Sequence, residues 1–119
     1  MEFDKITEVS LLYDFYGQLL TKKQQDVMEL YYSENYTLAE IGQEFSISRQ
    51  GAHDALKTGE KALREYETKL GLVKDSQASR KAIKKIDGAI DRLMIDNREN
   101  KALNKQLTEI KSTIDGLEE

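Results

Sequence analysis

The stretch TLAEIGQEFSISRQGAHDALKTGEKALREYETKL, residues 37–70, leaves little choice of fold. Thr37 and Glu40 have the spacing of a capping box: the Thr accepts from a backbone N–H three residues on, and the Glu reaches back. Leu38, Ile41 and Phe45 then give a short helix one apolar stripe, and the small Ala39, Gly42 and Ala52 invite close helix contact. Ser46 and Ile47 make a turn, with Ile47 plugging it, and Ser48 caps a second, longer helix. Its inward stripe is Ala52, Leu56, Gly59, Leu63, Tyr66 and Leu70, and Gly71 is the expected left-handed residue beyond its end. A short helix, a compact turn and a long capped helix predict a helix-turn-helix.

The rest of the chain also reads as helix, which makes the fold class all-α. From Asp4 to Leu20, the apolar residues Ile6, Val9, Leu12, Tyr13, Tyr16 and Leu20 share one face. Thr21 and Gln24 form another capping box, opening a helix to about Tyr32 with Val27, Leu30 and Tyr31 inward; Ser33, Glu34, Asn35 and Tyr36 are a polar break. The domain boundary is expected at a joint over residues 72–77, giving a helix-turn-helix domain over 1–74 and an amphipathic, coiled-coil-like segment over 75–119. In that segment Ile83, Ile86, Ile90 and Leu93 alternate by three and four. Asn97, Asn100 and Asn104 continue the register, and Leu103, Leu107, Ile110, Ile114 and Leu117 return three residues out of phase. The pattern predicts one long amphipathic C-terminal helix, locally overwound or bent at the asparagines. Its two seams need cover, one inside the protomer and one between protomers, so a homodimer is expected.

Several function classes drop out. The chain has no Cys and one His, which excludes thiolate sites, disulfides and two-His chemistry; no cofactor or metal is expected. The N-terminus shows no signal peptide, and no stretch approaches the roughly 20 apolar residues of a membrane span. A cytoplasmic protein without membrane insertion is expected. No Gly-rich phosphate loop exists, because the seven Gly are dispersed. His53 and Asp54 are adjacent and diverge on a helix, so no catalytic residue is assigned and the chain reads as a non-enzyme. The aromatic residues Tyr13, Phe15, Tyr16, Tyr31, Tyr32 and Tyr36 stand at helical spacing and read as core rather than as a base-stacking platform. The basic run over residues 80–85 reads as a solvated helix face.

The outward face of the long helix starts at the cap. Ser48, Arg49, Gln50, His53, Asp54, Lys57 and Lys61 are the candidate DNA-binding residues. Gln pairs with adenine and Arg with guanine in a groove about 12 Å wide, and the N–H groups after Ser48 suit a phosphate. Charge works against this face. Net charge is −4, and residues 1–74 hold nine Lys and Arg against 13 Asp and Glu, while residues 75–119 hold nine of each. Asp54 lies within the face itself, and residues 48–70 carry five basic side chains against four acidic ones. Binding by one chain should be weak and salt-sensitive.

The segment from Leu20 to Leu70 resembles region 4 of bacterial sigma factors, with "LTKKQ", "TLAEIGQEFSIS" and a long following helix, although it is less basic than those modules. Nothing in the chain resembles sigma region 2, so promoter melting is not expected. More closely, "LLYDFYGQLLT", "YYSENYTLAEI" and "SRQGAHDA" resemble the YlxM family of small helix-turn-helix proteins. The sigma resemblance implies DNA binding and transcription regulation, and the YlxM resemblance implies a link to the signal recognition particle, beside whose GTPase gene the family's genes lie. Particle components are therefore possible partners, and a protein- or RNA-binding accessory factor of the particle is the alternative to a DNA reader.

Overall fold

The computed structural model describes residues 2–117. Those residues form six α-helices and no strand: α1 (Glu2–Tyr16), α2 (Lys22–Met28), α3 (Leu38–Phe45), α4 (Arg49–Leu70), α5 (Leu72–Asp96) and α6 (Lys101–Leu117). A 3-10 turn, Gly17–Leu19, follows α1, and a π-helical turn, Glu29–Ser33, prolongs α2. The chain divides into two compact units, Met1–Val73 and Lys74–Glu119.

In the first unit the caps sit where the sequence puts them. Thr21 Oγ1 accepts from Gln24 N at 3.2 Å while Thr21 N donates to Gln24 Oε1 at 3.0 Å. The same reciprocal pair joins Thr37 and Glu40, at 3.1 and 2.9 Å. Ser48 Oγ accepts from Gly51 N at 2.9 Å and starts α4. Each cap satisfies a donor that the first turn of a helix leaves unpaired. The polar break reverses the chain through Asn35, whose φ is 58°.

α3, the turn and α4 make the helix-turn-helix. Ser46 adopts the left-handed conformation, φ 57°, and Ile47 N donates to Gly42 O at 2.8 Å. A Cβ on Gly42 would stand 2.7 Å from Ile47 O, so the turn can close this tightly only over glycine. α1, α2 and α3 all pack on α4. The core includes Val9, Leu12, Tyr16, Val27, Ile41, Leu56 and Leu63. Met28, absent from the expected inward residues, is buried there too. Four residues expected inside are not: Ile6, Phe15, Ala39 and Leu70 are exposed. Ile6 and Leu70 lie toward the ends of the expected stripes, and Ala39 stands on the outer side of α3.

The second unit corrects the expected single long helix. Residues 72–77 are helical: α5 begins at Leu72 directly after Gly71, whose φ is 63°. The chain then reverses at residues 97–100, and α6 returns antiparallel to α5. The three asparagines build this reversal. Asn97 Nδ2 donates to Leu93 O at 2.8 Å, and Asn100 Oδ1 accepts from Leu103 N at 3.0 Å, which caps α6. Asn104 Nδ2 donates to Asn97 O at 2.9 Å and Asn100 O at 3.0 Å. Ile90, Leu107 and Ile114 are buried between the helices, with Ile83, Met94 and Leu103 around them. Lys111 Nζ reaches Asp87 at 2.8 Å and Asp91 at 2.7 Å, and these carboxylates hold its pKa above the ordinary lysine value. Ile86, Leu93, Ile110 and Leu117, expected on the seams, are exposed instead.

The packing of α4 can be tested by truncating two of its leucines. Leu56, buried in the core, should lose roughly 2–5 kcal/mol of stability on mutation to Ala. Leu70→Ala, at an exposed position, should stay within about 0.5 kcal/mol of the parent. Urea unfolding midpoints of the two variants measure the difference, and equal midpoints would mean that the stripe is misplaced.

Candidate nucleic-acid interface

The stripe of α4 that faces α1, α2 and α3 sets which side chains face out. Ser48, Arg49, Gln50, Asp54, Lys57 and Lys61 are exposed, and His53 is half-buried. The seven expected residues run from the cap to the middle of one helix, and all but His53 are exposed.

The face is not a row of free donors. Gln50 Nε2 donates to Asp54 Oδ1 at 3.0 Å, so the amide that would read a base is held by its neighbour's carboxylate. His53 Nδ1 lies 3.6 Å from the same Asp54 oxygen, beyond hydrogen-bond length, and is buried without a hydrogen-bond partner among the described residues. The adjacent pair thus comes closer than helical geometry alone suggests, without forming a dyad.

Beneath Lys57 lies a residue that reading the sequence missed. Glu60 is 2% exposed. Its Oε2 accepts from the Tyr32 hydroxyl at 2.5 Å. Its Oε1 has Lys57 Nζ at 3.6 Å, Lys5 Nζ at 3.7 Å and Arg64 Nη1 at 3.9 Å. Burial and Glu60 push the Tyr32 hydroxyl well above the ordinary tyrosine range. A signal existed: Glu60 follows Gly59 at the edge of the inward stripe and precedes Arg64 by four residues. Its other partners, Lys5 and Tyr32, are remote in sequence.

A second tyrosine–carboxylate pair sits one heptad further along α4. The Tyr16 hydroxyl donates to Glu67 Oε1 at 2.5 Å and accepts from Leu72 N at 3.0 Å. Val73 N donates to the same Glu67 oxygen at 3.1 Å. The first N–H groups of α5, which lack helical acceptors, are thereby satisfied by α1 and α4. Burial foremost, then Glu67, raises the Tyr16 pKa. Tyr13 donates to Glu29 at 3.0 Å, and burial followed by that carboxylate pushes its hydroxyl up to about 12.

Among the described residues no group of three or more His, Cys, Asp and Glu could hold a metal ion, and no helix is long and apolar enough to cross a membrane. Fold and face together define an all-α helix-turn-helix protein. The chain belongs to the UPF0122 family, described as "Putative helix-turn-helix protein, YlxM / p13 like", which matches residues 3–113. The resemblance to YlxM proteins is thereby borne out. The UPF0122 protein of Caldanaerobacter subterraneus subsp. tengcongensis is 52% identical over 87 residues, covering 73% of this chain and 74% of the relative. That of Thermoanaerobacter sp. (strain X514) is 42% identical over 114 residues, 96% of this chain and 97% of the relative. That of Listeria welshimeri is 36% identical over 108 residues, 91% and 98% of the two chains.

The tyrosine pairs predict an alkaline limit to stability. A tyrosine whose folded pKa is raised keeps its proton after the unfolded chain has released it. Its contribution is complete below the ordinary value of 10.0 and disappears as pH rises toward the folded value, about 12 for Tyr13. Urea midpoints should therefore hold up to about pH 10 and fall between there and about pH 12, with Tyr13→Phe softening the fall. Tyrosinate absorbance followed in parallel gives the folded titration directly. If it centres near 10 for all six tyrosines, the proposed shifts are absent.

Proposed function

We propose that this protein is a DNA-binding regulatory protein that reads the major groove with the first turns of α4. The observation that carries the reading is the packed helix-turn-helix, which leaves Arg49 and Gln50 exposed at a capped helix start. A helix presented in this way fits the groove, and its first N–H groups and Arg49 suit the phosphate edge. The Gln50–Asp54 bond has to open before Gln50 pairs with a base, which keeps single-chain affinity low. A second copy of the chain as partner belongs to this reading. The exposed Ile86, Leu93, Ile110 and Leu117 of the second unit offer it an apolar surface, and two linked readers offset weak binding by each.

One observation favours another reading, an accessory factor of the signal recognition particle that binds protein or RNA. Asp54 stands in the middle of the face with its carboxylate held outward between Gln50 and His53, an arrangement that repels a DNA groove and suits a partner carrying donors.

Binding to a selected pool of duplexes separates the two. Under the DNA reading, Gln50→Ala relaxes sequence preference, whereas Lys61→Ala weakens binding to every duplex and reduces the salt slope by about one. Identical behaviour of the parent and both variants would remove the DNA reading. Sedimentation of the full chain tests the pairing: a monomer persisting at high concentration would exclude the homodimer.

A further inference from the structure

Lys5 on α1 and Lys57 and Arg64 on α4 converge on a single buried oxygen. Their side chains are 44%, 47% and 42% exposed, while Glu60 beneath them is 2% exposed. None of the three comes within hydrogen-bond distance of Glu60 Oε1, which lies 3.6 to 3.9 Å from all of them. One carboxylate therefore gathers three cations without saturating any of them. Glu8 Oε1, 3.3 Å from Arg64 Nε, takes up one edge of the guanidinium. The cluster keeps a net positive charge, and the crowding shows at Lys5, which the neighbouring Lys57 ammonium holds below its ordinary pKa.

The place of the cluster matters. Lys57, Lys61 and Arg64 follow one another at spacings of four and three, so they share the face of α4 that begins with Gln50. Lys5 adds a cation from another helix beside that row. A polyanion following the face away from the helix start meets these groups with donors still unused.

We propose that Lys5, Lys57 and Arg64 form a phosphate-contacting cluster that brings α1 into the nucleic-acid interface, and that buried Glu60 both gathers the cluster and limits its strength. This rests on the DNA-binding reading. It assigns contacts to Lys5 and Arg64, which lie outside the row of residues from Ser48 to Lys61, and their ligand is the sugar–phosphate backbone rather than a base. Its charge cancels one positive charge in three, and its buried side chain marks the point on which the three cations converge.

The test uses the full chain and a short random-sequence DNA duplex, with anisotropy titrations across a salt series. Lys5→Gln and Arg64→Gln should each weaken binding and lower the salt slope by about one, the change expected when one phosphate is no longer neutralised. Lys69→Gln, the same charge change on the last turn of α4, should leave the slope unaltered. Glu60→Gln keeps an oxygen for the Tyr32 hydroxyl and removes the buried negative charge, so binding should tighten. If the parent binds the duplex but Lys5→Gln and Arg64→Gln keep its slope, the cluster is not an interface and the inference fails while the DNA reading stands. Weaker binding by Glu60→Gln would overturn the limiting role. A parent that binds no duplex in low salt would sink both. Circular dichroism checks that each variant is folded, and Lys5→Gln, on the exposed side of α1, keeps the test readable if Arg64→Gln unfolds.

Discussion

Everything in the first unit depends on the way three helices share one stripe of α4. Ala52, Leu56, Gly59 and Leu63 are buried along it, and α1, α2 and α3 pack on it. Each large apolar side chain so buried contributes roughly 1.5–3 kcal/mol, and no other surface of these short helices could supply as much. The stripe works because its small residues admit close approach. A Cβ on Gly59 would lie 3.3 Å from Met28 Sδ, and one on Gly42, across the turn, would strike the Ile47 carbonyl. These two glycines are where weak helix propensity is exchanged for packing; in an exposed helix each would lose roughly 1 kcal/mol relative to Ala. With one side of α4 committed to three neighbours, its other side is left open along most of its length.

Much of this is legible in the sequence because the signals are local. A Thr three residues before a Gln or Glu, a Ser before a helical run and a Gly after one act over a single turn, and each such residue occupies its expected place. What is not legible is pairing across distance. Glu60 reads as one more surface acid, yet it is buried because Tyr32, Lys5 and Arg64 arrive from other turns and other helices to satisfy it. Burial of an unpaired carboxylate would be prohibitive, so its place depends on partners that no local pattern names. The same holds for Glu67, which receives Tyr16 from α1 and Val73 from α5.

The second unit shows the other limit. A heptad-like seam states that a helix needs a partner and says nothing about where that partner comes from. Asn97, Asn100 and Asn104 read as polar positions on a continuing seam, where the structure uses them to end one helix, reverse the chain and cap the next. Two features of the sequence agree with the reversal: the apolar pattern resumes out of phase, and an Asn stands three residues before Leu103 in the manner of a cap. Folding back covers Ile90, Leu107 and Ile114, and leaves Ile86, Leu93, Ile110 and Leu117 uncovered. The two seams, expected to serve different surfaces, instead meet each other in part, because Ile90 of the first shares a buried cluster with Leu107 and Ile114 of the second.

The charge paradox of an acidic chain with a reader's fold eases once the acids are placed. Glu67 is turned inward onto the Tyr16 hydroxyl and the Val73 N–H, and Glu60 lies beneath three cations that outnumber it, so neither leaves a negative patch on the surface. Asp26, Glu29, Glu34 and Glu44 line one groove with Leu30, Tyr36 and Phe45, formed by α2, α3 and the residues joining them. The cations Lys57, Lys61 and Arg64 share a face of α4, with Lys5 beside them. A polyanion responds to the local potential within about 10 Å, not to the sum over the chain, because salt screens what lies farther off. Under the DNA-binding proposal, an excess of acids elsewhere would act as orientation, repelling nucleic acid from the α2–α3 groove and leaving α4 as the approach. Asp54 remains a carboxylate on that approach, and its bond to Gln50 couples the charge of the face to the side chain best suited to read a base.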